Sequence, residues 1–429
     1  MNQTTEPMLS EATNPWEGRS ELPKPNRGSF VLSAVLFFLA SAAIPFALFH
    51  ETAAVFAWSL LIAIGFFFTR SSRGLTGLAV GASLLGAILP GMFLPAETLY
   101  YPAVGAIVAA MCVGACAGAY YQTVTNLFWV LPILSAVAAA VAYFVTGQWL
   151  IAVTALALLP AVMALSAATL KGEGCTSVIC YCEGGFLISV LALILLWIWQ
   201  TYGTVNGELL RMLPAQWKES LAEAQMQARG ALIALIDEKM AAGEGMTEDL
   251  IASYDSLKQT FLTLMSDEAI RSSVEAMFRM LPAFLFLGCS IPAYLAQRSL
   301  NAAYTTNGMS RVVTAESEFF TMSLPSAVIY TVSLFLFMLP VQGMEFVGMV
   351  AGNLSLILLP GMLLLGLRYF KQQFGARRAG SRGLVILLVI AMLIFATSAM
   401  LYLGGFFGAY MRIMQAIQKA IKKKMGQGH

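Results

Sequence analysis

The residues best suited to chemistry in this chain are few and widely spaced. Three of its six cysteines fall together as Cys175-x4-Cys180-x-Cys182, while Cys112, Cys116 and Cys289 lie inside apolar runs. Zinc ligands usually come in matched pairs two to four residues apart, and this spacing is not among those patterns. The cluster reads as small residues near a helix start, and no metal or other cofactor is expected. The only histidines are His50 and His429, which nearly removes the side chain most used to move protons at neutral pH. No Gly-x4-Gly-Lys-Ser/Thr loop and no His-Glu-x-x-His segment occurs, so neither a local phosphate cradle nor a zinc-protease site is present. A serine or cysteine nucleophile would need another base, and no motif offers one. The expectation is a protein that is not an enzyme.

What remains are neutral hydrogen-bonding groups within apolar runs: Thr123, Thr125 and Asn126, and further on Asn353 and Ser355. Inside a bilayer such groups bond helix to helix, each contributing about 0.6 kcal/mol, and the same groups can orient a bound solute. Thr125, Asn126 and Asn353 are therefore the candidate ligand-binding residues. Arg279, Glu345 and Arg368 sit at the ends of apolar runs, where long side chains reach out to water. Ion-coupled carriers usually hold charged residues inside their spans, so an ion-driven carrier is disfavoured.

The elements that must position these groups are membrane helices. Hydrophobic residues make up 59% of the chain and charged residues 11%, too apolar a surface for a dispersed soluble protein. A bilayer core of about 30 Å needs about 20 apolar helical residues. Stretches of roughly that length predict about eleven spans, at 30–49, 52–69, 74–94, 101–121, 124–146, 149–170, 184–202, 278–297, 322–341, 346–369 and 383–409. The fold class is thus all-α, a polytopic transmembrane bundle. Residues 1–29, punctuated by Pro7, Pro15, Pro23 and Pro25, read as a disordered polar tail rather than a cleaved signal. A net charge of +2 gives no reason to expect a nucleic-acid partner.

Basic residues set the expected orientation. Lys24, Arg27, Arg70, Arg73, Lys171, Arg298, Arg311, Arg368, Lys371, Arg377, Arg378 and Arg382 all fall on one side of the eleven-span arrangement. That side is cytoplasmic by the excess of Lys and Arg, which puts the N-terminus inside. The tail from 410 onward, with Arg412, Lys419, Lys422, Lys423 and Lys424, breaks the pattern. Ile413, Ile417 and Ile421 recur every four residues, so Met411–Lys424 also fits an interfacial amphipathic helix.

Between the membrane regions 30–202 and 278–409, residues 203–277 form a polar insertion with twelve acids against six bases. Leu250, Tyr254, Leu257, Phe261 and Leu264 make one apolar helical stripe, and a looser one runs through Leu221, Ala228, Leu232 and Leu235. Gly243 and Gly245 separate the two, and Thr247, Glu248 and Asp249 suit a helix start. The insertion is expected as an extracytoplasmic helical hairpin over the outer mouth of the bundle. Small residues spaced by four, Gly77 with Gly81, Ala43 with Ala47 and Ala110 with Gly114 and Gly118, allow close helix approach.

The C-terminal half resembles the YybS-like family of predicted bacterial membrane proteins, whose function is unknown. The resemblance runs through Arg279-Met280-Leu281-Pro282-Ala283, Leu324-Pro325, Asn353-Leu354-Ser355 with Gly361, and the closing segment from Gly404 to Arg412. It departs at Phe406-Phe407, where the family pattern holds an Asp. The family's membrane region is similar to the substrate-capture subunits of energy-coupling-factor vitamin transporters, a likeness of fold that transfers no activity by itself. It implies a bacterial cell-membrane protein that lacks its own ATPase. Separate ATPase and coupling membrane subunits would drive it from the cytoplasmic side, where Arg377, Arg378 and Arg382 would meet them.

Two functions are open at this point. One is a capture or permease component for a small, vitamin-like molecule. The other is a membrane scaffold or envelope-assembly factor that binds a protein partner through the 203–277 hairpin.

Overall fold

The computed structural model describes residues 27–49, 100–125, 127–241, 248–307, 320–339, 345–375 and 398–426. All the regular elements among them are helices: α1 (Arg27–Phe49), α2 (Tyr100–Thr125), α3 (Val130–Thr146), α4 (Trp149–Val153), a 3-10 turn (Thr154–Leu156), α5 (Leu159–Leu170), α6 (Cys175–Tyr202), α7 (Gly207–Ala241), α8 (Glu248–Leu264), α9 (Asp267–Arg279), α10 (Leu281–Thr306), α11 (Leu324–Met338), α12 (Glu345–Gly375) and α13 (Ser398–Gly426).

Five of these segments are long and apolar enough to cross a membrane: Gly28–Phe49, Gly105–Thr125, Trp149–Leu170, Cys175–Tyr202 and Phe346–Tyr369. The α9–α10 pair, broken at Met280, makes a sixth if it counts as one span. The spans expected at 52–69 and 74–94, and most of the one at 383–409, lie outside the described residues. α3 and α11 are apolar but have only 17 and 15 residues, or about 26 and 23 Å of helix at 1.5 Å per residue, short of a bilayer core.

The chain divides into two compact units. The first comprises residues 1–197, 285–330 and 358–429. Its core is built on small residues. α1 lies along α2, where Ala40 and Ala43 meet the face carrying Ala110, Gly114 and Gly118. A methyl group on Gly118 would sit 2.8 Å from the Phe37 ring and 2.9 Å from Val162, so the stripe legible in the sequence serves packing within the chain. α5 and α6 approach equally closely: a Cβ on Gly185 would lie 2.5 Å from the Ala161 Cα. Buried hydroxyls link these helices, with Ser29 and Tyr120 3.0 Å apart and Ser166 donating to Gln122 Oε1 at 2.7 Å.

Later in the same unit, α12 and α13 cross backbone to backbone. Gly366 and Gly408 face each other, and a Cβ on Gly408 would overlap the Met362 carbonyl. Arg412 Nε donates to the Met322 carbonyl at 2.8 Å and Arg368 Nη1 to the Phe320 carbonyl at 3.2 Å, so both guanidiniums cap the backbone ahead of α11. α13 runs unbroken through the closing glycines into the basic tail, so the amphipathic segment expected at 411–424 is the second half of a longer helix.

The second unit comprises residues 198–284 and 331–357. The polar insertion supplies three helices, where the sequence reading expects two. The additional one, α9, begins where the Ser266 side chain accepts a bond from the Ala269 N–H at 3.2 Å. Asp267 and Glu268 follow in the first turn and Arg279 closes the last, signs that suit the helix dipole at both ends. α9 packs on α7 through Ala222, Ile270 and Val274. Arg229–Asp267 at 2.6 Å, Arg271–Glu219 at 2.9 Å and Lys258–Asp237 at 2.5 Å tie the three helices at their polar faces.

Candidate functional site

In the second unit four helices line an open cavity of about 500 Å³, a volume inside the range of about 300–1,000 Å³ for small-molecule sites. α7 brings Pro214, Trp217 and Lys218, α9 brings Glu275, Phe278 and Arg279, α10 opens with Leu281 and Pro282, and α12 opens with Phe346 and Met349. The wall is therefore aromatic and apolar, with three charged groups along it. Lys218 Nζ bonds Glu275 Oε2 at 2.6 Å and Arg279 Nε bonds Glu275 Oε1 at 3.2 Å. The same ammonium stands 5.9 Å from the centre of the Phe278 ring, within cation–π reach.

Lys218, and after it Arg279, hydrogen-bond the Glu275 carboxylate and hold it below the usual carboxylate range. Two cations share one anion, so the lining carries a surplus of one positive charge. A more polar recess of about 470 Å³ adjoins it, sharing Pro214, Lys218 and Glu275 and adding Arg211, Glu219 and Arg271.

Asn353 belongs to this unit and sets part of its geometry. Its Nδ2 donates to the carbonyls of Arg279 and Met349, each at 2.9 Å, and its Oδ1 accepts from the Ala283 N–H at 3.1 Å. Both amide protons are thus spent on backbone, two of those partners are cavity residues, and the third secures the α9–α10 break. A solute reaching the Asn353 side chain would have to displace one of these bonds. Gly352, one residue earlier, permits the approach, since a Cβ there would lie 2.6 Å from Met280 Cε.

Thr125 belongs to the first unit. It lies at the end of α2 instead of in a fifth span, because α2 runs four residues further than the apolar pattern implies and α3 begins only at Val130. Its hydroxyl donates to the Tyr121 carbonyl at 2.8 Å and accepts from the Leu127 N–H at 3.3 Å. Thr123 and Ser355 likewise bond their own helices, to Ala119 and Gly352. Asn126, Arg377, Arg378 and Arg382 lie outside the described residues. The cysteine cluster opens α6 as expected, with Cys175 and Cys182 buried and Cys180 exposed. Among the described residues no group of three His, Cys, Asp or Glu could hold a metal ion.

Two features went unread in the sequence. The Glu275–Arg279 pair has the i, i+4 spacing of a helical ion pair, a signal available once α9 is recognised. The second is Glu183. Placing a span boundary at 184 left this carboxylate outside the membrane, but α6 starts at Cys175 and carries it as its ninth residue. It is 5% exposed, and its Oε1 accepts a hydrogen bond from Ser290 on α10. Glu183 is thus a buried carboxyl on a helix long and apolar enough to span, one the span boundary at 184 passes over.

No protein-family model, no curated protein and no solved structure matches this chain.

Proposed function

We propose that the chain is a multi-pass bacterial cell-membrane protein of about eleven spans, N-terminus cytoplasmic, that captures or admits a small molecule without an ATPase of its own. The 203–277 segment is its extracytoplasmic hairpin, and α7, α8 and α9 belong to it. The observation that carries this reading is the cavity of about 500 Å³ with its aromatic wall and single surplus positive charge. That chemistry fits a vitamin-like molecule with an apolar ring body and one anionic group: Trp217, Phe278 and Met349 bury the body, and Lys218 and Arg279 meet the anion. The YybS-like resemblance and the likeness to energy-coupling-factor capture subunits agree with it, with ATPase and coupling subunits as partners on the side of Arg377, Arg378 and Arg382.

The test is a binding screen of ring-bearing carboxylates on the full-length chain in mild detergent, followed by quenching of tryptophan fluorescence. Binding should disappear in Trp217→Ala and weaken at least tenfold in Lys218→Met, while Trp197→Phe leaves it unchanged. A companion pull-down from native membranes should recover two ATPases and a membrane subunit in fixed proportion. Recovery of an envelope-assembly protein through 203–277, with no ligand in the screen, would replace this reading with the scaffold.

A further inference from the structure

The carboxyl of Glu183 is buried on a helix that is otherwise apolar. Its helix, Cys175–Tyr202, is long and apolar enough to span, and the ninth position lies about 12 Å along the axis from its first residue at 1.5 Å per residue. The side chain is 5% exposed. None of the ion pairs among the described residues includes it; these pairs all lie in α7, α8 and α9. Charged groups buried among apolar helices are normally paired or line an ion path, and an ionised carboxylate with no cation is costly to bury.

The proton count at Ser290 sharpens the point. Its Oγ lies 3.0 Å from the Phe286 carbonyl and also within hydrogen-bond distance of Glu183 Oε1. A serine hydroxyl has one proton to give, and a carbonyl oxygen has none. If Ser290 donates to Phe286, the contact with Glu183 requires a proton on the carboxyl. If the carboxyl is ionised, the hydroxyl must turn away from Phe286 to serve it. The site therefore has two hydrogen-bonded states that differ by one proton.

The surroundings leave room for that change. Among the described residues, the titratable groups facing Glu183 are the thiols of Cys180 and Cys182 on its own helix and of Cys289 on α10. α5, which meets α6 at Gly185, has no titratable side chain. Pro292, inside α10, has no N–H for the Gly288 carbonyl, which adds an acceptor on the helix that carries Ser290.

We propose that Glu183 and Ser290 form a proton-binding site inside the membrane bundle. In the loaded state the Glu183 carboxyl donates to Ser290 Oγ and Ser290 donates to the Phe286 carbonyl. On release the proton passes to water, the site gains one negative charge, and the Ser290 hydroxyl turns to donate to the carboxylate. The proposal is independent of the second-unit cavity: a chain that binds no solute would still load and release this proton.

Infrared difference spectroscopy on the full-length chain in detergent tests it. Raising the pH should remove the carbonyl-stretch band of a buried protonated carboxyl. The band should be absent in Glu183→Gln, whose amide can donate to Ser290 as the acid does and so preserves the α6–α10 contact. In Ser290→Ala the band should persist at a higher frequency, having lost its acceptor. A Glu183 band that never titrates while the protein stays folded would make the pair a fixed structural bond and overturn the proposal. So would the lack of any such band, or a band that responds to sodium at constant pH, which would make the site one for a metal cation.

Discussion

Asn353 fixes the position of Arg279 without touching its side chain. The amide nitrogen of the one donates to the backbone carbonyl of the other at 2.9 Å, just before the chain breaks between α9 and α10. A carbonyl at a helix end has no partner within its own helix, and Asn353 supplies one while its oxygen takes up the Ala283 N–H on the far side of the break. The guanidinium is thereby left to Glu275 and to the cavity.

Asn353→Leu removes three hydrogen bonds at once and leaves backbone groups unmet. Each such group costs about 1–3 kcal/mol where it is shielded from water, so the thermal midpoint of the detergent-solubilised protein should fall clearly, and abundance with it. A variant that kept its midpoint but lost ligand binding would instead mark Asn353 as a direct contact.

Gly408→Val places carbon where α12 has its own backbone. Overpacking of that kind costs about 1–3 kcal/mol or more, and here the obstacle is a carbonyl that cannot turn aside. Folded yield, read by size-exclusion profile, should collapse. Gly348→Ala is the matched control: nothing lies within 4 Å of its added methyl, and the helix should gain about 0.5–1 kcal/mol.

Ser266→Ala removes the N-cap of α9, at about 1 kcal/mol. Hydrogen exchange should quicken at Ala269 and Ile270, whose N–H groups bond the Ser266 side chain and carbonyl, and leave α1 and α2 unaffected. Ser266→Asp should restore protection.

Acid should loosen the cavity edge. The folded-state carboxyl of Glu275 is held below its ordinary value by Lys218 and Arg279, so its stabilising contribution is present above the ordinary carboxylate range. That contribution is lost as the pH falls through the depressed value. Trp217 fluorescence should therefore change reversibly on acidification below that range, and Glu275→Gln should show the acid-state signal at neutral pH. The side chains are a third to a half exposed, so solvent screens the pair and salt should shrink the effect.

The all-helical fold was legible because long apolar runs admit few alternatives, and so was the close packing at Gly114 and Gly118; the backbone crossing at Gly408 was not read from its spacing. The boundary at Thr125 was not, since Leu127, Phe128 and Trp129 continue the apolar pattern through the turn that ends α2. Glu183 was passed over because a charge next to an apolar run looks like the edge of a span. In fact Cys175–Glu183 extends the helix by more than two turns, with Val178, Ile179 and Cys182 buried along the way. For the cavity, Lys218 and Glu275 meet only after α9 folds back on α7, a juxtaposition 57 residues apart in the chain that no local spacing announces.

Where α12 meets α13, Gly366 and Gly408 leave main chain against main chain. Side chains usually act as springs at a helix crossing, absorbing small slides by changing rotamer. At Gly366 and Gly408 no such springs intervene, and further along Tyr369 donates to Gln415 Oε1 at 2.6 Å across the same pair, so the two rods form a stiff yoke. A load on α13 would then be taken up outside the crossing, at the Arg412–Met322 and Arg368–Phe320 fastenings.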